Sequence, residues 1–222
     1  MSGAAAGDWS FRLIETMLWR AGAGYWLLDR HLERLAASAA HFEFACDLSA
    51  VRGALANQAG WLGEGAHRVR LLLGAEGGIA ISHARIDSAA PTGPLRLAWA
   101  NRPVDAADPF LRHKTTRRDL YETELAAARG GRQADEVLFV NQRGEVTEGS
   151  WTNLFVEIAG RLLTPPVVAG LLPGTFRQSL LDDPAAGLVE ATLRPEDVRR
   201  ADRLFLGNSV RGLVPARLVE SA

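Results

Sequence analysis

Apolar and polar residues follow two different periods along this chain, and the changes of period mark its elements. Residues 13–19 are apolar and β-compatible, glycines stand at 22 and 24, and residues 25–28 resume the pattern, which predicts a hairpin. Leu32, Leu35, Ala36 and Ala39 then recur at helical spacing, with Asp29 in position to cap the helix. Ser49 opens a second amphipathic stretch that runs to about Ala59, and residues 67–73 and 78–86 predict two strands around the turn at 74–77. This part reads as α+β. The stretch 87–94, DSAAPTGP, has linker composition. The expected organisation is a small α+β domain over 1–88, a linker over 89–94 and a larger α/β domain over 95–222. In the larger part, strands are expected at 95–100, 136–141, 153–158, 188–193 and 203–206. Helices are expected at 115–129, 174–181 and 195–201, the first with Thr116 and Asp119 at capping-box spacing.

Composition narrows the classes of function. Apolar residues make up 47% and charged residues 23% of the 222, the balance of an ordinary globular protein. A net charge of −1 gives no global field towards nucleic acid or an acidic membrane. No run of about 18 apolar residues predicts a membrane span, and the start of the chain lacks a signal-peptide layout. The single cysteine, Cys46, excludes an internal disulfide and a cysteine zinc cluster, and a cytoplasmic location fits. The histidines form no HxH or HExxH pair, so no metal site is expected.

Four stretches carry candidate chemistry. His113-Lys114-Thr115-Thr116-Arg117-Arg118 concentrates cations where a helix is predicted to begin. That is the electropositive end of a helix, so an anion such as a phosphate or a carboxylate would relieve the conflict. Residues 147–153 are dense in hydrogen-bonding side chains just before an apolar strand, a common setting for binding groups. Residues 170–177, GLLPGTFR, predict a helix start with free backbone N–H groups, suited to phosphate. Residues 207–212, GNSVRG, can offer N–H, hydroxyl and guanidinium groups to an anion. Each alone reads equally as a solvated helix start or a turn.

Taken together and in order, these pieces resemble the class IV aminotransferases of PLP fold type IV. The matching stretches are LLDRHLERLAASA at 27–39, HKTTRRDLY at 113–121, DEVLFVNQRGEVTEGSWTNLF at 135–155, LLTPPVVAGLLPGTFR at 162–177 and LFLGNSVRGLVPA at 204–216. The resemblance implies two α/β domains, pyridoxal 5'-phosphate as cofactor and a homodimer. It implies that Lys114 binds the cofactor through its amine and moves the proton at the substrate Cα. The cations His113, Arg117 and Arg118 beside it are expected to lower its pKa. It assigns Glu148 to the pyridine nitrogen, where a carboxylate keeps the ring protonated as an electron sink. Arg34, in the HLERL helix, is expected at the phosphate. Gly174, Thr175, Phe176 and Ser209 complete the phosphate cup, and Asn153 supports the loop.

Within the family, the NSVRG loop and the opening FRLIETMLW look like aminodeoxychorismate lyase, which converts 4-amino-4-deoxychorismate to 4-aminobenzoate and pyruvate in folate biosynthesis. For that small carboxylate substrate, Arg211 and Arg117 or Arg118 are the expected carboxylate binders, and Thr16 a pocket residue. The alternatives are a D-amino-acid or branched-chain type aminotransferase and a non-catalytic PLP-fold binding module; retention of Lys114 with Glu148 argues against the latter. About ten residues precede FRLIETM where family members have more, so the small domain is expected to be trimmed at its edge.

Overall fold

The computed structural model describes residues 10–86 and 93–219. The predicted linker lies largely outside them. Two compact units result: among the described residues, one takes 10–86 together with Lys114–Arg117, the other 93–113 and 118–219. The small stretch around Lys114 therefore groups with the first unit, whereas the sequence pattern expects it within 95–222.

The first unit is a four-stranded antiparallel sheet in the order β2-β1-β3-β4, with two helices. The strands are β1 (Leu13–Arg20), β2 (Gly24–Tyr25), β3 (Ala66–Leu73) and β4 (Ile79–Ile86); the helices are α1 (Leu28–His41) and α2 (Leu48–Ala59). In β3 the period of two is visible, with His67, Val69, Leu71 and Leu73 buried and Arg68 and Arg70 exposed. The second hairpin arm is shorter than expected: β2 ends at Tyr25, and Leu28 already opens α1. Asp29 is not the cap. Leu27 holds that position in a left-handed conformation, and Asp29 pairs with Arg52 at 2.8 Å instead. For α2 the cap is Asp47, whose carboxylate accepts from the N–H groups of Ser49 and Ala50.

Lys114–Arg117 is extended and lies antiparallel beside the start of β1. Ile14 N–H donates to the Lys114 carbonyl at 2.7 Å, and Thr116 N–H to that of Arg12 at 2.9 Å. The predicted helix thus begins later, as α3 (Asp119–Arg132), with Arg118 at the cap and no capping box. The hydrogen bonds to β1 explain the delay, since they commit Thr115 and Thr116 to a strand-like backbone. Lys114 therefore stands in the extended stretch, and of the expected cations Arg117 and Arg118 remain at the helix start.

The second unit holds one eight-stranded sheet, β10-β9-β8-β11-β12-β5-β6-β7, and β7 also pairs with β8. Its strands are β5 (Leu95–Trp99), β6 (Glu136–Val140), β7 (Val146–Gly149), β8 (Asn153–Ile158), β9 (Arg161–Thr164), β10 (Leu188–Glu190), β11 (Arg203–Asn208) and β12 (Gly212–Leu218). The β7–β8 pairing closes strands 8, 11, 12, 5, 6 and 7 into a ring. Short helices α4 (Thr175–Leu181) and α5 (Pro195–Arg199) complete the unit. Because β6 is covered on both faces, it reads as a continuous apolar run. Leu138 joins a core with Leu97, Leu154 and Leu206, while Val137 and Phe139 join Ala128 of α3. Strands β7, β9 and β12 were not expected from the pattern. Among the described residues, no helix is long and apolar enough to cross a membrane.

Candidate functional site

In the second unit, the ladder of β7 and β8 sets Glu148 directly opposite Asn153. Glu148 is buried. It accepts a hydrogen bond from the Tyr121 hydroxyl at 3.1 Å and one from Asn153 Nδ2 at 3.3 Å. Asn153 Nδ2 also donates to the Leu172 carbonyl at 3.0 Å, which ties the strand to the loop before α4. Burial, and then the Glu148 charge, push the Tyr121 hydroxyl well above its ordinary range. Tyr121 therefore stays protonated and serves as a fixed donor. The sequence reading did not single it out.

Gly174 caps α4 and lies hard against Asn153: a Cβ there would stand 1.9 Å from Asn153 Oδ1. Gly174→Ala is expected to force Asn153 aside and to cost about 1–3 kcal/mol of stability, measured by denaturant titration. Thr175, Phe176 and Arg177 behind it are buried. Arg177 donates to the Pro165 carbonyl at 2.8 Å and to Glu190, anchoring the start of α4. Gly207 fits between the rings of Phe155 and Phe176, where a Cβ would meet carbons at 2.8 and 2.9 Å. This close packing joins the start of α4 to the end of β11, two residues before the buried Ser209.

Arg211 is placed differently. Its guanidinium lies 5.5 Å from the centre of the Trp151 ring, in a cleft of about 660 Å³ lined also by Arg96, Arg129, Gln133 and Asp135. Glu148, Asn153, Gly174, Thr175, Phe176 and Ser209 are not among the residues that line it. Arg118 is engaged with the fold: it donates to the Ser150 carbonyl and lies 5.2 Å from the Tyr121 ring centre.

In the first unit, Lys114 is half-buried and Arg117 exposed. Lys114 is the only lysine in the sequence, the rest of its 25 basic residues being arginine. Counting residue types would have singled it out. Arg34 forms a two-pronged bond to Glu15, with Nε–Oε1 at 2.9 Å and an Nη–Oε2 contact at 2.6 Å, and His31 Nδ1 meets Oε2 at 2.5 Å. Thr16, next along β1, faces Arg70 across the ladder and is half-buried.

Burial alone would raise the Glu15 carboxyl, but Arg34 and His31 outweigh it and hold the carboxyl down to about 2, from 4.5. Such a depressed carboxyl contributes about 3 kcal/mol to stability at neutral pH. That contribution is complete above the unfolded value and is lost as pH falls from about 4.5 through about 2. Urea titrations between pH 5 and 2 are expected to show a steeper loss of stability in the wild type than in Glu15→Gln.

Among the described residues, no group of three or more His, Cys, Asp or Glu could hold a metal ion. The donor set suits a phosphorylated pyridine instead. Glu148 is a buried carboxylate of the kind that pairs with a protonated ring nitrogen, and Thr175 and Ser209 are buried hydroxyls fit for phosphate.

Comparison with known proteins agrees. The model of the amino-transferase class IV family matches residues 12–219. A Mesorhizobium loti structure, provisionally assigned as an amino-acid aminotransferase, is 41% identical with a TM-score of 0.87, over 95% of this chain and 100% of that one. A Legionella pneumophila structure, provisionally assigned as a 4-amino-4-deoxychorismate lyase, shares the fold at 24% identity and a TM-score of 0.80, over 95% of this chain and 83% of that one. A Methanocaldococcus jannaschii protein, provisionally assigned as a branched-chain-amino-acid aminotransferase, is 29% identical over 116 residues, 51% of this chain. The match spans only 39% of that relative's length.

Proposed function

The chain belongs to the amino-transferase class IV family, whose members are pyridoxal-phosphate enzymes, and from that premise we propose that it is a PLP-dependent lyase acting on 4-amino-4-deoxychorismate. The observation that carries the cofactor part is the sole lysine, Lys114, standing within the family's HKTTRR stretch. When bound, the cofactor supplies an electron sink for the pair left at the substrate carbon after proton loss. Lys114 would hold it covalently until the substrate's amine displaces the lysine, whose freed amine would then take the proton from the amine-bearing carbon of the substrate. Glu148 holds the proton on the ring nitrogen, and Tyr121 and Asn153 hold Glu148. Arg34, Gly174, Thr175, Phe176 and Ser209 bind the phosphate. Arg211, with Arg117 or Arg118, orients substrate carboxylates, and Thr16 lines the substrate pocket. Cleavage of the bond from the ring to the enolpyruvyl oxygen releases enolpyruvate, which takes up a proton to become pyruvate, and leaves an aromatic ring, which makes the elimination favourable. The NSVRG loop and the FRLIETMLW opening support this substrate over an ordinary amino acid. The same reading takes the working enzyme to be a cytoplasmic homodimer.

The second reading is an aminotransferase. It is favoured by the identity of 41% to the Mesorhizobium loti protein over nearly the whole chain. Both reactions share the proton removal at Lys114, so products separate them. With PLP and 4-amino-4-deoxychorismate, pyruvate and 4-aminobenzoate should form. Keto acid from an amino acid and 2-oxoglutarate, without pyruvate from the first substrate, would decide for the aminotransferase.

A further inference from the structure

Glu136 opens β6, is fully buried, and has no part in the chemistry proposed above. Its carboxyl sits inside the turn 149–152 that joins β7 to β8. Oε1 accepts from the N–H of Val137 and the N–H of Ser150, each at 3.0 Å, and from the Ser150 hydroxyl. Oε2 accepts from the Thr152 hydroxyl at 3.3 Å. The Trp151 N–H is a further backbone donor to the same carboxyl. Three consecutive residues of one turn thus converge on one side chain.

Gly149 lets the turn close this tightly. A Cβ there would stand 2.4 Å from Thr152 Oγ1 and 3.2 Å from Glu136 Cγ and Cδ. From the other side, Arg118 donates to the Ser150 carbonyl. Burial pushes the Glu136 carboxyl up, and the Ser150, Val137 and Trp151 donors oppose it. A buried acid is an expensive way to fill space, and an apolar side chain of similar volume would do so at lower cost. What the acid provides is several directed bonds to one short turn. The residues at the two ends of that turn are Glu148 and Asn153, paired across the ladder. With so few residues between two paired positions, where the turn sits decides where both side chains sit.

We infer that Glu136 is a positioning residue, whose carboxyl sets the 149–152 turn and through it the placing of Glu148 and Asn153. The inference rests on the cofactor reading above for its functional consequence. The test compares Glu136→Ala, Glu136→Gln and a control, Leu193→Ala, which truncates a buried core side chain of the same unit. Two measurements are made on each: amide exchange of residues 150–152 in the cofactor-free protein, and PLP binding followed by the visible band. Glu136→Ala should speed exchange at 150–152 about tenfold or more, weaken PLP binding about tenfold and shift the band. Glu136→Gln keeps an oxygen for the donors to Oε1 and should restore PLP binding to within about threefold of wild type. The control should lose thermal stability while keeping the band and the affinity. Should Glu136→Ala fail to fold, Ser150→Ala removes one donor and should weaken PLP binding about threefold. Unchanged exchange in Glu136→Ala would overturn the anchoring. Normal PLP binding and band despite faster exchange would overturn the link to Glu148 and Asn153, as would an equal loss of affinity in the control. A wild-type protein that binds no PLP would overturn the cofactor reading, and the inferred role would fall with it.

Discussion

Lys114→Ala is expected to abolish the visible absorbance of the protein–cofactor adduct and to lower turnover by about 10⁴-fold or more. No other lysine side chain exists in the chain to take over, so the loss should be complete rather than partial. The fold should tolerate the change. The backbone at this position is held by the bonds between Lys114 and Ile14 and between Thr116 and Arg12, which do not involve the lysine side chain. Truncating a half-buried side chain is expected to cost about 1 kcal/mol or less. Lys114→Arg tests the chemistry more narrowly. It keeps the charge, yet a guanidinium remains protonated and cannot act as the amine. Equal loss in both variants is expected in single-turnover assays. A normal band in either would exclude Lys114 as the cofactor's attachment point.

Glu148→Gln is expected to lower turnover by about 10²–10³-fold while the cofactor remains bound. The glutamine oxygen can still accept from Tyr121. Its amide would face Asn153 Nδ2 across the ladder, donor against donor, where the carboxylate now accepts at 3.3 Å. More important, an amide cannot stabilise a proton on the ring nitrogen, so the electron sink is weakened. The effect should therefore appear mainly in the proton-removal step, read as a reduced rate of substrate Cα–H exchange. Turnover equal to wild type would remove Glu148 from that role.

These two residues stand out in the sequence because each sits in a dense motif, HKTTRR or TEGSWTN. The buried acids and Tyr121 stand out less. Glu15 and Glu136 are acids at positions that the apolar period assigns to the core, and an acid in a strand such as LIETMLW signals a buried partner without naming it. The partners, His31 and Arg34 for Glu15 and the 149–152 turn for Glu136, are far away in sequence and come into reach only through pairing. Tyr121 was hidden for a related reason. The helix was expected to begin near Thr115, and the backbone bonds to Arg12 and Ile14, distant in sequence, delay it to Asp119. Long-range strand contacts likewise account for β12: local pattern does not distinguish GLVPARL from a loop, whereas pairing with β11 and β5 makes it a central strand. Asp29 illustrates the opposite error, a good capping residue that falls inside a helix opening at Leu28, with Leu27 two residues earlier at the cap.

The central claim is that this chain binds pyridoxal phosphate through Lys114. Borohydride reduction of the PLP-loaded protein, followed by peptide mass spectrometry, tests it most directly. The account predicts one pyridoxyl-phosphate adduct per chain, located on Lys114 and absent from Lys114→Ala. Full retention of Lys114 as an unmodified residue under saturating PLP would contradict it.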